Sequence, residues 1–296
     1  MTFAEKLKTL RKQAGMSQEK LAEKIGVSRQ AITKWETDTG IPDIDNILAL
    51  SALFGISIDE FLSDKKSLKK QTEFLYESVT EYDIAEPKRY DMKLGGAKML
   101  VLTGCDSEKI RVRLVSNTLV TLQSDFKVKI DDNKKRLDVD ISRIHGMTEA
   151  AAKESLIIFV QLPNQYTEKI EAAVNAETLE LHTLECGSIQ LNAKAKNIDL
   201  DGVTGTLEID CNLDLNIVCH SLNGAVEINQ VSATSRICVP GEVPFAAISK
   251  GIRTSITYEK NGTPAEAFCT PDADNVIELN GLKSELIICT LAEGAR

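Results

Sequence analysis

The sequence predicts a two-domain protein in which an all-α five-helix domain precedes an all-β strand-repeat domain. Residues 1–63 carry hydrophobic residues at helical spacing between recurrent cap residues, whereas from Met92 onward hydrophobic residues alternate as they do in strands. Within the second half, a pair of apolar residues recurs at a nearly constant interval. The length of 296 residues also exceeds what one hydrophobic core usually fills, so two domains are expected.

Composition and charge limit the classes of protein to consider. Hydrophobic residues make up 43% of the chain and charged residues 27%, as in a globular protein, and no apolar run approaches the ~18 residues of a membrane helix. No membrane insertion is therefore expected, and the absence of an apolar signal core predicts a cytoplasmic protein. The net charge of −9 argues against indiscriminate nucleic-acid binding, yet residues 1–35 hold eight bases and three acids. One short segment is locally basic in an acidic protein.

The seven cysteines are widely spaced and form no CxxC motif. The sequence therefore predicts neither a disulfide framework nor a zinc ribbon, and the cysteines are interpreted as small buried thiols. A zinc site that combines His182 with Cys186, or Cys219 with His220, is the weaker interpretation, because no second clustered pair accompanies them. The aspartates of the repeat region are interpreted as a solvated face, since the glycine-rich nonapeptide of calcium-binding repeats is absent. Neither a metal nor a cofactor is expected.

Residues 1–63 are punctuated by helix starts and stops. Capping-box spacings at residues 2–5 and 57–60 open the first helix and a closing fifth helix. Ser17 and Ser28 can cap the second and third helices. Only Gly26-Val27 separates the second helix from the cap of the third, and two helices joined by such a turn cross steeply. The third helix is therefore predicted to project from the domain.

These features resemble the lambda-repressor-like, XRE-type helix-turn-helix family over nearly the whole of residues 3–62. The similarity is carried by Ser17-Gln18, the Gly26-Val27-Ser28 turn, the Trp35-Glu36 pair, the Pro42 loop and the Phe54-Gly55-Ile56-Ser57 connection. In that family five helices form the domain and the third docks in the DNA major groove. The resemblance implies that double-stranded DNA is the partner of this chain.

The third helix supplies the candidate base contacts. A helix fits the major groove, which is ~12 Å wide, and the residues at its exposed start reach the base edges first. These residues are Ser28, Arg29, Gln30, Thr33 and Lys34. Arg29 could bind guanine and Gln30 adenine through two hydrogen bonds each, worth ~1–3 kcal/mol of discrimination per pair. A solvated helix face is the alternative interpretation.

A second set of side chains is expected to contact phosphates and position the domain on DNA. Gln18 would add an amide donor to the exposed N–H groups at the start of the second helix. The other candidates are Lys12, Thr37 and Thr39. The family resemblance further implies that Arg11 pairs with Glu36 beneath the binding surface and bridges the first and third helices, which makes this pair structural.

Residues 64–91 are interpreted as a charge-rich linker between the domains. Leu68, Leu75 and Tyr82 recur every seven residues, as in a short coiled coil, but Pro87 closes a stretch of barely two heptads. A solvated connecting helix is an equally good interpretation.

Residues 92–296 are predicted to form the all-β domain. Lys109–Val115 and Arg136–Ile141 alternate as strands with one buried face. Beyond them an apolar-x-apolar pair recurs at Leu179/Leu181, Ile189/Leu191, Ile198/Leu200, Leu207/Ile209, Ile217/Cys219, Val226/Ile228 and Ile237/Val239. This spacing predicts a β-solenoid or a repetitive sandwich. The region also resembles the adhesin-type β-strand-repeat domains of bacteria and, more distantly, the bactofilins, which supplies a shape and no chemistry.

The expected function is a sequence-specific DNA-binding transcriptional regulator, more narrowly a repressor, that reads a two-fold symmetric operator as a homodimer with half-sites ~34 Å apart. The β domain would supply dimerisation, partner binding, or sensing of a protein or small-molecule effector. No GxSxG, HExxH, Walker or GxGxxG motif is present, so no enzyme is expected, and a carboxyl-terminal self-cleaving protease is the enzymatic alternative. The main rival is an assembly protein whose β-repeats polymerise and are tethered to DNA.

Overall fold

The computed structural model describes residues 3–13, 16–37, 40, 42–54, 74–260 and 262–291. The chain divides into two compact units, Met1–Glu73 and Phe74–Arg296. Among the described residues, the first unit contains four α-helices, and the second contains sixteen strands and two short α-helices. The architecture is a helical domain followed by a large all-β domain.

The helices of the first unit are α1 (Phe3–Gln13), α2 (Gln18–Ile25), α3 (Arg29–Glu36) and α4 (Ile44–Phe54). Two of them begin at capping hydroxyls: Ser17 accepts a hydrogen bond from the backbone N–H of Lys20, and Ser28 from that of Ala31. Gly26 ends α2 in the left-handed region with φ 74°. The fifth helix expected around residues 57–62 lies outside the described residues.

A small hydrophobic core holds these helices together. Its buried members are Leu7, Leu21, Ala22, Ile32, Trp35, Ile47 and Leu50, which come from all four helices. Helix α3 contributes Ile32 and Trp35 to this core. Because those two positions share one face of a helix, the opposite face of α3 is left to solvent.

The second unit is one extensive sheet. Its strands are β1 (Tyr76–Asp83), β2 (Lys88–Cys105), β3 (Lys109–Ser116), β4 (Phe126–Asn133), β5 (Arg136–Arg143), β6 (Ile157–Pro163), β7 (Thr167–His182), β8 (Glu185–Lys194), β9 (Asn197–Asp201), β10 (Thr204–Asp210), β11 (Asn216–Cys219), β12 (Asn223–Val231), β13 (Thr234–Val239), β14 (Ala246–Lys260), β15 (Thr263–Ala265) and β16 (Val276–Thr290). The short helices are α5 (Leu122–Asp125) and α6 (Glu149–Ser155).

Strand β1 occupies part of the segment that the sequence assigned to a linker. It pairs antiparallel with β3 along its whole length, so the coiled-coil interpretation of Leu75 and Tyr82 is wrong, while Leu68 lies outside the described residues. Three ion pairs follow the two strands: Glu77 with Arg113, Glu81 with Arg111 and Asp83 with Lys109. The three acidic residues of β1 thus pair with basic residues of the neighbouring strand.

The repeat region consists of two rows of parallel strands. The first row contains β8, β10 and β12 with the first halves of β7 and β16, and the second row contains β9, β11 and β13 with their second halves. Each row aligns buried residues from strand to strand, and the first residue of each aligned pair is Ile170, Ile189, Leu207, Val226 and Ile277 in the first row, and Leu179, Ile198, Ile217, Ile237 and Ile288 in the second. The apolar pairs of the sequence thus belong alternately to the two rows.

The two rows are joined into a closed ring of eight strands rather than the open solenoid or repetitive sandwich that the sequence predicts. Hydrogen bonding runs in the order β7-β8-β10-β12-β16-β13-β11-β9 and returns to β7. The reason is the length of β7 and β16, which have 16 and 15 residues and therefore take part in both rows. Strand β2 continues the sheet beyond β7, and β14 continues it beyond β16.

Two cysteines depart from the expected buried thiols. Cys238 of β13 lies directly opposite Cys289 of β16, and the two form a disulfide across 51 residues of sequence. The spacing of the cysteines gives no sign of this, because the pairing depends on which strands become neighbours. Burial raises the pKa of the free thiol of Cys186 to about 11 and that of Cys219 to about 12, so both remain protonated at neutral pH.

The close stacking of the first row can be tested at Gly224. Its φ is 133°, and a Cβ atom there would collide with the carbonyl oxygen of Gly205 on β10. We expect Gly224→Ala to destabilise the β domain by ~1–3 kcal/mol from backbone strain alone, measured by urea unfolding followed by circular dichroism. Gly241→Ala is the control, because the nearest atom to its Cβ is a Thr290 methyl at 3.9 Å. Equal stability of the two variants would contradict the observed register.

Candidate nucleic-acid interface

The exposed face of α3 carries polar side chains suited to reading base edges. Ser28, which caps the helix, and four residues within it are exposed: Arg29, Gln30, Thr33 and Lys34. Among the described residues, the side chains of Arg29 and Gln30 have no intramolecular partner. A guanidinium with five donors and a carboxamide with both donors and an acceptor are thus available to an external ligand.

A buried ion pair holds α3 against α1. Arg11 is only 9% exposed, and its Nε and Nη2 donate to Oε1 and Oε2 of Glu36 over 2.5 and 2.9 Å. Its Nη1 donates to the carbonyl oxygen of Met16 over 2.7 Å. Such a bidentate arrangement combines charge with a fixed geometry, so the end of α3 is tied to α1 in one orientation.

Gln18, at the start of α2, extends this network. Its Nε2 donates to Glu36 Oε2 over 2.8 Å, and its Oε1 accepts a hydrogen bond from the Thr33 hydroxyl over 3.2 Å. The sequence offered no signal for these contacts, because they join residues 15 and 18 positions apart. Since an amide nitrogen carries two hydrogens and Glu36 takes one, the other can meet an external acceptor.

The network favours the ionised forms of both charged members. Burial by itself raises the pKa of the Glu36 carboxyl, but the hydrogen bonds from Arg11 and Gln18 outweigh burial, and this pKa lies below its ordinary value of 4.5. The hydrogen bond to Glu36 raises the pKa of the Arg11 guanidinium despite its burial. The pair is therefore fully charged at neutral pH.

The remaining candidate phosphate contacts lie at the ends of the helices. Lys12 is exposed in the last turn of α1. Thr37 follows α3, and its hydroxyl donates to the carbonyl oxygen of Thr33 over 2.8 Å. Thr39 lies outside the described residues.

His182 and His220, the two histidines considered for a zinc site, contact carboxylates rather than cysteines. His182 Nε2 lies 3.1 Å from Glu180 Oε2, and His220 Nε2 lies 3.0 Å from Asp199 Oδ2. Within the part of the chain that the structure describes, no group of three or more His, Cys, Asp or Glu residues is arranged to hold a metal. No helix in the same residues has the length and hydrophobicity to cross a bilayer.

Comparison with known proteins places residues 7–61 in the helix-turn-helix family model. The chain is 38% identical over 87 residues to the HTH-type transcriptional activator BcrR of Enterococcus faecalis, covering 26% of this chain and 43% of that protein. It is 34% identical over 82 residues to the HTH-type transcriptional regulator ImmR of Bacillus subtilis, covering 27% of this chain and 65% of that protein. The chain thus spans less than two thirds of either protein. It is 30% identical over 84 residues to the uncharacterized HTH-type transcriptional regulator YobD of Bacillus subtilis, covering 28% of this chain and 75% of that protein.

Solved structures resemble the larger part of the chain only weakly. A proposed cell adhesion protein from Clostridium sporogenes is 13% identical and covers 73% of this chain and 99% of its own, with a TM-score of 0.37. A proposed adhesin from Bacteroides fragilis is 11% identical and covers 73% and 98%, also with a TM-score of 0.37.

The contribution of the buried ion pair can be measured by removing Arg11. Because Arg11→Ala leaves the Glu36 carboxylate buried without its charged partner, we expect the helical domain to lose ~3–5 kcal/mol of unfolding free energy. Trp35 is the single tryptophan of the chain and lies in this core, so its fluorescence during urea unfolding reports on the helical domain alone. Lys12→Ala removes a neighbouring exposed charge and should leave the midpoint unchanged. A loss as small as that of the control would contradict a stabilising role.

The same pair predicts a dependence of stability on pH. Because the pKa of Glu36 is lowered in the folded state, its contribution is present above the ordinary value of 4.5 and is lost as pH falls through the folded value. Urea midpoints from Trp35 fluorescence should therefore fall between neutral pH and about pH 3. Glu36→Gln should flatten this part of the profile, whereas Glu19→Gln, at an exposed position of α2, should not. Identical profiles for Glu36→Gln and the wild type would exclude Glu36 as the titrating group.

Proposed function

Because the chain belongs to the helix-turn-helix family of transcriptional regulators, we propose that it binds specific DNA sequences by inserting α3 into the major groove. One observation carries the proposal: Arg29 and Gln30 extend unpaired from the exposed face of a helix whose other end is anchored by Arg11 and Glu36. Helices presented in this way read base edges with side chains near their amino-terminal end.

The proposed base contacts are Ser28, Arg29, Gln30, Thr33 and Lys34. Arg29 has the fork geometry that matches O6 and N7 of guanine, and Gln30 can match N6 and N7 of adenine. The Thr33 hydroxyl is already directed to the Arg29 carbonyl oxygen at 3.0 Å and to Gln18, so its methyl group is the part offered to a thymine methyl. Specificity would then rest mainly on Arg29 and Gln30.

The proposed phosphate contacts are Gln18, Lys12, Thr37 and Thr39. The first N–H groups of α2 lack intrahelical partners, and with the positive end of the helix dipole they favour a phosphate beside Gln18. The amide hydrogen of Gln18 that Glu36 does not take would join them. Gln18 also contacts Thr33 and Glu36 of α3. The side chain that would hold the domain on the DNA phosphates is therefore hydrogen-bonded to the helix that would read the bases.

We further propose a cytoplasmic homodimer that acts as a repressor and is not an enzyme. Residues 1–35 carry a net charge of +5 and residues 36–64 a net charge of −7, so the attraction of one helical domain to DNA is weak and two copies would be needed. A bound dimer would repress by occupying promoter DNA. The β domain would supply dimerisation or accept a protein or small-molecule effector.

Selection from a random DNA library with the full-length chain tests this function. A homodimer should enrich two inverted half-sites whose centres lie ~10 base pairs apart, or a multiple of that spacing. Selection of a single half-site would contradict the dimer. A library that stays unenriched would contradict sequence-specific binding altogether.

The division between base and phosphate contacts predicts different effects of two substitutions. Arg29→Ala should cost ~1–3 kcal/mol on the selected sequence and little on sequences that lack its guanine, whereas Gln18→Ala should weaken binding to all sequences similarly. Fluorescence anisotropy with the selected site and single-base variants measures both. Arg89→Ala removes an exposed positive charge in the β domain and should leave every affinity unchanged. Uniform loss for both Arg29→Ala and Gln18→Ala would refute the assignment.

A further inference from the structure

A groove of about 530 Å³ runs across four neighbouring strands of the ring, at the carboxyl-terminal end of the first row. Four polar residues form what we call the polar ladder: Asn192 on β8, Asp210 on β10, Asn229 on β12 and Asn280 on β16. They are direct register partners, and neighbouring strands lie ~4.8 Å apart, so the ladder extends over ~14 Å. The volume of the groove lies in the range typical of small-molecule binding sites.

Aliphatic side chains that are unusually exposed line the same groove. This apolar wall consists of Leu213, Val231 and Leu282, which are 48%, 48% and 42% exposed. Val231 and Leu282 are register partners, so the wall follows the ladder from strand to strand. A groove that combines a polar ladder with an apolar wall suits a ligand with both kinds of surface.

The hydrogen-bonding capacity of the ladder is only partly used. Asn229 Nδ2 donates to Asp210 Oδ1 over 2.7 Å and to Glu208 Oε1 over 2.8 Å, which occupies both of its hydrogens and leaves its carbonyl oxygen available. Asn280 Nδ2 donates to Glu278 Oε1 over 2.8 Å and keeps one hydrogen. Within the described residues Asn192 has no intramolecular side-chain partner. The groove therefore offers both donors and acceptors.

The charge of the groove selects against anionic ligands. Lys194 and Asp210 line it with opposite charges, and the carboxylates that accept from Asn229 and Asn280 add no positive charge. A phosphate or a nucleic acid would meet no net positive charge here. An extended peptide that adds to a sheet needs an unpaired strand edge, but β10 and β12 are hydrogen-bonded on both sides. Recognition in this groove must come from side chains.

From these features we propose that the groove binds a neutral linear oligosaccharide. Sugar hydroxyl groups donate and accept at the same atom, which matches the mixed donors and acceptors of the ladder, and the C–H faces of the rings would pack on the apolar wall. This inference rests on the proposed function in one respect: it gives the proposed effector a chemical class.

Binding can be measured with the full-length chain by titration calorimetry against cellohexaose, maltohexaose, xylohexaose and N-acetylchitohexaose, with hexagalacturonic acid as a charged comparison. The proposal expects at least one neutral sugar to bind. Asn192→Ala and Leu213→Ser should each weaken that binding about two- to tenfold, the effect of one net hydrogen bond or its equivalent, and the double variant at least about tenfold. Neither residue is buried, so both variants should fold.

Two control variants make the test specific to the groove. Asn197→Ala removes an exposed asparagine of the second row, and Val120→Ser replaces an exposed valine outside the groove; both should bind as the wild type does. The proposal is overturned if no neutral sugar binds, if only the charged sugar binds, or if the groove variants bind as tightly as the controls. It is also overturned if a neutral peptide library binds the groove and the sugars do not.

Operator binding by the same preparations separates the two proposals. A chain that binds the sugar in the groove but enriches no DNA sequence supports the groove and contradicts the proposed regulator. A chain that binds its operator but none of the neutral sugars contradicts the groove alone.

Discussion

The presentation of α3 depends on the buried ion pair between Arg11 and Glu36. The hydrophobic core of the helical domain is small, and apolar packing is not directional, so it leaves the orientation of a short helix weakly fixed. The bidentate pair fixes the orientation of α3 at its carboxyl end. Gln18 of α2 fixes it further by hydrogen-bonding to both Glu36 and Thr33. The same few side chains thus stabilise the domain and determine which residues of α3 reach a ligand.

The β domain reaches a fixed structure by a different route. Its strands are aligned by their register. Buried aliphatic residues recur at matching positions along each row, and glycines such as Gly205 and Gly224 let neighbouring backbones approach at the start of the first row. Because β7 and β16 join the rows, the strands of the ring have partners on both sides, and their backbones are not open to edge pairing. Any recognition by the faces of the ring is left to side chains.

Sequence patterns within single helices and strands predicted the features that depend only on neighbouring residues in the chain. Spacing within one helix predicted the caps at Ser17 and Ser28 and the exposed face of α3. The recurrence of apolar pairs predicted the buried residues of the two rows. The contacts of Gln18, the disulfide and the ring closure depend on which distant segments become neighbours, so no spacing reveals them. The polar ladder does have a local signal in the sequence: on β8, β10, β12 and β16, Asn or Asp directly follows the second buried aliphatic residue of the strand, as in Ile209-Asp210 and Ile228-Asn229. The assignment of β1 to a heptad failed because three residues at a spacing of seven do not distinguish a helix from a strand.

The chain order of the strands connects ring closure to the groove. Strand β16 is the last strand in sequence, yet it lies between β12 and β13 on one side and β14 on the other. The ring can therefore close only after the carboxyl-terminal strand has inserted beside strands made earlier. Asn280 and Leu282 belong to that strand and complete the ladder and the wall, while Cys289 joins it covalently to β13. A ligand in the groove would contact β10, β12 and β16 together and so favour the closed ring over any state in which β16 is displaced, since a molecule that binds only one of two states stabilises it.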